Sequence, residues 1–353
     1  MKKTLLPLAA FALTLPALAQ ESEPPPPSPS DIVNAAPQEA WKVITPEDLL
    51  VMTLAPSADG AERKVIIQLM PEPFSQGWVA NIRTLARARW YDGISVNRVQ
   101  DNYVVQWGDP NYDNPESGGE AKRLPEGLKV MGEDEYSVGD IGGKDWRPFF
   151  ELEELGYDLS RWERSDLYAP AVGFVAGWPL GHAIFASNMP VFDSNGDALP
   201  NIPAKRWWPV HCYSMVGVGR NYSPDTGSGA ELYTVIGHAP RHLDRNIALV
   251  GRIIEGMEHL SSLPRGKGAL GFYAKEEADK RTPILSIRVA SDLPEDDRPQ
   301  FEYLSTESES FARYAEARAN RRDPFFITPA GGADICNIPV PIRRFEYTGE
   351  GDE

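Results

Sequence analysis

Apolar residues along this chain alternate with polar ones at a period of two more often than they recur at helical spacing. In Lys64 to Leu69 (KVIIQL), Val65, Ile67 and Leu69 share one face, the pattern of a half-buried strand. Leu49 to Leu54 (LLVMTL) predicts its partner, and polar Ser57 to Glu62 around Gly60 supplies the turn. Ile94 to Val99 and Tyr103 to Trp107 predict two short strands joined at Asp101-Asn102. Further strands are predicted at Cys212 to Val218, Glu231 to Gly237, Ile247 to Ile254 and Pro283 to Ala290. Helical spacing is rarer. After Pro73, placed where a helix's first turn tolerates a missing N–H, Phe74, Trp78, Ile82 and Leu85 form a stripe that ends at Asp92-Gly93. Glu255 to Leu263 predicts a short helix stopped by Pro264. Thr306 with Glu309 reads as a capping box opening another, with Phe311 and Tyr314 on its apolar edge and Pro324 as its stop. Many strands, scattered helices and no βαβ alternation predict a mainly β, mostly antiparallel protein.

The rest divides the chain. Lys2 and Lys3, an apolar run from Leu5 to Leu18 and Ala17-Leu18-Ala19 predict an export signal over residues 1–19, cleaved before Gln20. Residues 20–40 open with ESEPPPPSPSD after Gln20 and predict a Pro-rich linker. The β domain then lies in two pieces, 41–110 and 211–295, around an insertion at 111–210, and 296–353 is a C-terminal extension. Within the insertion, Trp146 to Arg164 predicts one helix or two, and Phe192 to Asp197 a turn.

Charge and reactive residues narrow the chemistry. The formal net charge is −16, and loss of Lys2 and Lys3 with the signal would take it to −18. Such a surface repels nucleic acid and anionic headgroups, so the expected partner is protein, in a periplasmic setting. Cys212 and Cys336 either form a disulfide, favoured by an oxidising compartment, or remain two buried thiols. Gly227-Ser228-Gly229 lacks the nucleophile-elbow pattern. Asp193, Asn195 and Asp197 begin like a calcium loop, but Ala198 stands where glycine belongs. His238 and His242 flank Pro240 in a turn rather than sharing a helix face, and Gly217-Val218-Gly219 lacks a dinucleotide-binding context. No cofactor and no metal is expected.

Two ordered blocks carry a resemblance. Arg63 to Pro110 runs strand, helix, strand pair, with Arg98, then Gln106 eight residues on, then Trp107-Gly108-Asp109-Pro110. The second holds Met215, Gly217 and Gly219, then ELYTVIG from Glu231, HLDRN from His242 and VGRIIEGM from Val250. Together they resemble the cyclophilin-type peptidyl-prolyl cis-trans isomerases. The resemblance implies a closed antiparallel β-barrel capped by two helices, here with a long insertion and a C-terminal helical extension. It implies isomerisation of Xaa-Pro bonds in unfolded or envelope proteins, with Arg98 catalytic and Tyr103, Val104, Gln106, Leu232, Thr234, His242 and Leu243 binding substrate. The chain departs from the family where Val96-Asn97 replace an aromatic-histidine pair, where Leu232 and Thr234 replace a glutamine and a phenylalanine, and where Ile247 replaces a histidine. The alternative is a non-catalytic cyclophilin-fold chaperone or binding module.

Overall fold

The computed structural model describes residues 25–111, 119–139, 141, 147–148, 166–185 and 204–345. Its strands are β1 (Trp41–Ile44), β2 (Leu49–Leu54), β3 (Arg63–Leu69), β4 (Ser95–Val99), β5 (Val104–Gly108), β6 (Arg147–Pro148), β7 (Ala171–Val175) and β8 (Trp178–Phe185). They continue as β9 (Ala204–Pro209), β10 (Met215–Val218), β11 (Leu232–Val235), β12 (Leu249–Glu255), β13 (Ile284–Val289), β14 (Phe301–Leu304) and β15 (Ile342–Arg344). The α-helices are α1 (Pro29–Asn34), α2 (Gln76–Arg87), α3 (Glu258–Ser261) and α4 (Glu309–Ala319).

Eight strands form one antiparallel sheet in the order β13-β2-β3-β12-β10-β11-β5-β4. Its two edges meet. Val96 N–H donates to the Thr282 carbonyl at 2.9 Å and Ile284 N–H to the Ile94 carbonyl at 2.8 Å. The sheet thus rolls into a nearly closed barrel, which hides strand edges that would otherwise invite pairing with other chains. Trp78, Val79, Ile82 and Leu85 on α2 are fully buried, so the helix covers the barrel with the apolar stripe read from its spacing.

Two smaller sheets are built from sequence outside the paired blocks. The stretch between β5 and β10 contributes β6-β7-β8-β9, with Trp178 and Trp208 buried. The chain's two ends meet in β1-β14-β15, and α1 lies against α4. Residues 28–40 therefore differ from a Pro-rich linker. The Ser28 side chain caps α1 by accepting from Asp31 N–H, and Ile32 enters the core. Cys212 and Cys336 are disulfide-bonded, which resolves the choice left open by the sequence and ties the extension to the approach to β10.

Local boundaries differ for identifiable reasons. Ser75 is left-handed (φ 54°), so α2 starts at Gln76, beyond Pro73; it ends at Arg87, and Asp92-Gly93 belongs to the following turn. The predicted helix after Ile254 shrinks to α3, because Glu255 completes β12 and Gly256 turns the chain at φ 81°. There a Cβ would stand 2.1 Å from the Lys64 carbonyl. Ser308, not Thr306, caps α4 by accepting from Phe311 N–H at 3.1 Å, while the Thr306 hydroxyl accepts from Gly177 N–H. Residues 1–19, nearly all of Trp146 to Arg164 and the Phe192 to Asp197 turn lie outside the described residues. No helix among the described residues is long and apolar enough to cross a membrane.

Candidate functional site: an arginine beside an apolar groove

Strand register places the candidate side chains in a row. Arg98 pairs with Gln106 across β4-β5, Gln106 with Tyr233 across β5-β11, and Tyr233 with Gly217 across β11-β10. Side chains at paired positions project from the same sheet face, so the row is fixed by pairing and not by sequence proximity. A register shift between Val96 and Arg98 bends β4 at Asn97. The buried Asn97 amide donates to the Gly108 carbonyl at 3.1 Å and accepts from the Ser95 hydroxyl at 2.7 Å, which pins the bulge from which Arg98 projects.

The row borders a groove of about 630 Å³. One end is apolar. Val104, Tyr233 and Val235 form a cluster, separate from the main core, against which Tyr103 and Ile247 pack, and Leu243 lines the same groove. The other end is polar, with Arg220, Asn221 and Asp225 on the loop after β10 and Glu231 at the start of β11. Arg98 stands between them. Its Nε donates to the Leu270 carbonyl at 2.7 Å, one terminal nitrogen donates to Gln106 Oε1 at 3.2 Å, and the other reaches Gln100. Gln106 in turn donates to Glu231 Oε2 at 2.8 Å. The guanidinium carbon lies 5.7 Å from the Tyr103 ring centre and 5.4 Å from that of Phe272, so the cation sits against two aromatic rings. Among the described residues Arg98 has no ion-pair partner. Burial lowers its pKa from the ordinary arginine value, against the pull of Tyr103 and Tyr233, and pushes Tyr103 upward. An arginine remains a cation through such a shift.

Tyr233 enters the groove floor with its hydroxyl turned inward, bonded to His211 Nε2 at 2.9 Å. Gly217 makes room for it, since a Cβ there would lie 2.3 Å from that hydroxyl. His211 is fully buried; its Nδ1 and backbone N–H both meet Asp244 Oδ1 at 2.9 Å. Burial lowers the His211 pKa despite the Asp244 contact, so the ring is neutral: Nδ1–H donates to Asp244, and Nε2 accepts from Tyr233. Burial and neighbouring groups hold the Tyr233 hydroxyl protonated.

Of the residues the sequence nominates, Arg98, Tyr103, Val104, Gln106 and Leu243 line the groove. His242 is exposed at its rim, stacked at 6.5 Å on Tyr103. Leu232 and Thr234 do not line it. They face Trp107 and Val105 across β5 and are buried on the opposite sheet face, so Glu231 and Tyr233 take the groove face in their place. The signal for this was present, because Glu231-Leu232-Tyr233 keeps the spacing of the family's glutamine-x-phenylalanine. Leu270 and Phe272 carried no signal; they reach Arg98 from a loop more than 170 residues away.

The family model for cyclophilin type peptidyl-prolyl cis-trans isomerase/CLD matches residues 62–289. Among solved structures, cyclophilin AquaCyp293 from Hirschia baltica is similar at 21% identity and TM-score 0.59, over 86% of this chain and 93% of that one. A cyclophilin type peptidyl-prolyl cis-trans isomerase from Cryptosporidium parvum, in the presence of the dipeptide Ala-Pro, aligns at 9% identity and TM-score 0.32, over 67% of this chain and 98% of that one. No protein of curated function matches. With nearly two thirds of its length matched by the family model and its strands rolled into this barrel, the chain belongs to the cyclophilin-type peptidyl-prolyl cis-trans isomerase family.

Proposed function

We propose that this protein is an exported peptidyl-prolyl cis-trans isomerase that assists folding of envelope proteins, with Arg98 as the catalytic residue. The observation that carries the reading is the cross-strand row, which sets an arginine with no carboxylate partner among the described residues at the mouth of an apolar hollow. Rotation about an Xaa-Pro bond meets a barrier of roughly 18–20 kcal/mol because amide resonance resists twisting. Twisting localises a lone pair on the prolyl nitrogen. A donor aimed there binds the twisted state better than either planar one, and only such differential binding accelerates the step. Three of the five N–H groups of Arg98 are held by Leu270, Gln106 and Gln100, which fixes the fork while leaving donors for substrate. Tyr103, Val104, Tyr233, Leu243 and Ile247 seat the proline ring. Gln106, itself held by Glu231, presents its amide beside the substrate backbone. Export to the periplasm rests on residues 1–19 and agrees with a disulfide between Cys212 and Cys336.

Exchange NMR on an Xaa-Pro peptide tests this directly. The wild-type protein should speed cis-to-trans conversion and Arg98→Ala should not. A wild type that binds the peptide without accelerating exchange would leave the chaperone or binding-module reading instead.

A further inference from the structure

A chain of buried polar groups runs from the groove floor out of the barrel strands and into the segment between β5 and β10, read from the sequence as an insertion. Tyr233 bonds His211, and His211 bonds Asp244. The other Asp244 oxygen accepts from Arg241 Nε at 2.6 Å. Arg241 then turns its terminal nitrogens on Asp166, at 2.8 and 3.3 Å, in the segment leading into β7. Its guanidinium also lies 5.3 Å from the Tyr168 ring centre. Arg241 and Asp244 are 2% and 4% exposed, and the Asp166 side chain only 5%. Burial alone would depress the Arg241 pKa, but Asp244 and Asp166 outweigh it and hold the guanidinium charged.

Asp244 is a branch point. Through His211 it fixes Tyr233 on the groove floor. Through Arg241 it fixes the short turn Arg241–Leu243, which places Leu243 on the groove wall and His242 on the rim. A two-pronged fork is held in place best when both prongs are engaged, and Asp166 engages the second. An arginine buried with a single carboxylate would be free to swing about that one contact.

We infer that Asp166, in the inserted segment, is a positioning residue for the groove: through Arg241 and Asp244 it sets Leu243 and Tyr233, and so the affinity for proline-containing segments. This rests on the isomerase reading, and it gives the insertion a task at the site without touching substrate. Asp166→Asn keeps size and loses charge; Asp166→Glu keeps charge and should restore most of the effect.

The test uses the whole chain and an Xaa-Pro tetrapeptide. Asp166→Asn should raise KM by about 2- to 30-fold, the range that network residues away from a ligand produce, with kcat within about twofold. The Leu243 methyl and Tyr233 ring NMR signals should shift in Asp166→Asn and return in Asp166→Glu. Unshifted signals, or an unchanged KM, overturn the inference; a fall in kcat with KM constant overturns it too. Should Asp166→Asn not fold, Arg241→Lys, which keeps the charge but loses the fork, takes the same readouts. A wild type that neither binds nor converts the peptide defeats the isomerase reading alone, and the NMR shifts then decide the positioning claim by themselves.

Discussion

On one side of the groove Arg98 is held by neutral groups: a backbone carbonyl, two glutamine amides and two ring faces. On the other, Tyr233 and Leu243 are held by buried ion pairs and a neutral histidine. Under the proposed isomerase function, the difference follows from what each wall would do. A carboxylate against Arg98 would saturate the charge that a substrate nitrogen has to meet. A wall that only shapes an apolar hollow can be fixed by fully paired charges, which cost much if broken but resist displacement while intact.

The largest effect should come from unfastening the second wall's anchor. Cys212 adjoins His211, and the bond to Cys336 closes a loop across 124 positions. Replacing both cysteines with serine should remove about 4–5 kcal/mol of stability in the chain-entropy account. The measurement is the urea midpoint, compared with that of oxidised wild type. A midpoint change equivalent to less than about 1 kcal/mol would mean that packing of α4 and β15 alone holds the extension.

Next is the first wall. Arg98→Ala should cut kcat/KM by about 10²–10³-fold, as loss of an oriented transition-state donor does, with little change in the unfolding midpoint. Arg98→Lys should recover little, since an ammonium lacks the planar fork held by Leu270, Gln106 and Gln100. Equal losses of activity and stability in Arg98→Ala would remove the contrast between the walls.

How far each wall was legible in the sequence follows from the same contrast. Arg98, Tyr103, Val104 and Gln106 sit on one hairpin, close enough in sequence for a single local motif to name them together. Leu232 and Thr234 come from setting the family's glutamine-x-phenylalanine one residue too far along; pairing with β5 gives the groove face to Glu231 and Tyr233, since a slip of one residue turns a strand's other face to the groove. His211, Arg241 and Asp166 lie on three separate elements, up to 75 positions apart, and nothing local marks them as neighbours. The barrel was readable because its strands are short, mostly apolar runs bounded by turn residues. The sheet β1-β14-β15 was not, because its strands come from opposite ends of the chain.

Tyr233→Phe is a smaller and more selective probe. It leaves the ring in the groove and deprives His211 Nε2 of its donor. A buried acceptor left unpaired costs about 1–3 kcal/mol, so the urea midpoint should fall, and KM should rise by no more than in Asp166→Asn, because Tyr233 loses its tie while Leu243 keeps its own. A large rise in KM without loss of stability would mean that the hydroxyl faces substrate and not His211.

The mildest perturbation is acid. Because burial depresses the His211 pKa in the folded protein, the unfolded chain takes up a proton first as pH falls past its ordinary value near 6.5. The stability this group supports is therefore present above pH 6.5. It is lost below that, by about 1.4 kcal/mol per pH unit at most, until the folded ring also protonates. His182 is depressed by burial too and would add to the same window. The paired carboxylates are held below their ordinary range, as with Asp92 beside Arg288 and Glu255 beside Arg344, so their contribution disappears only in stronger acid. Urea midpoints between pH 7 and 5.5 should thus fall in wild type, fall less in His182→Gln, and separate the two histidines by the difference. A midpoint that rises on acidification through this window would require a charged His211. Its Nε2–H would then donate to Tyr233, and the second wall would be a stack of charges from end to end, not one interrupted by a neutral ring.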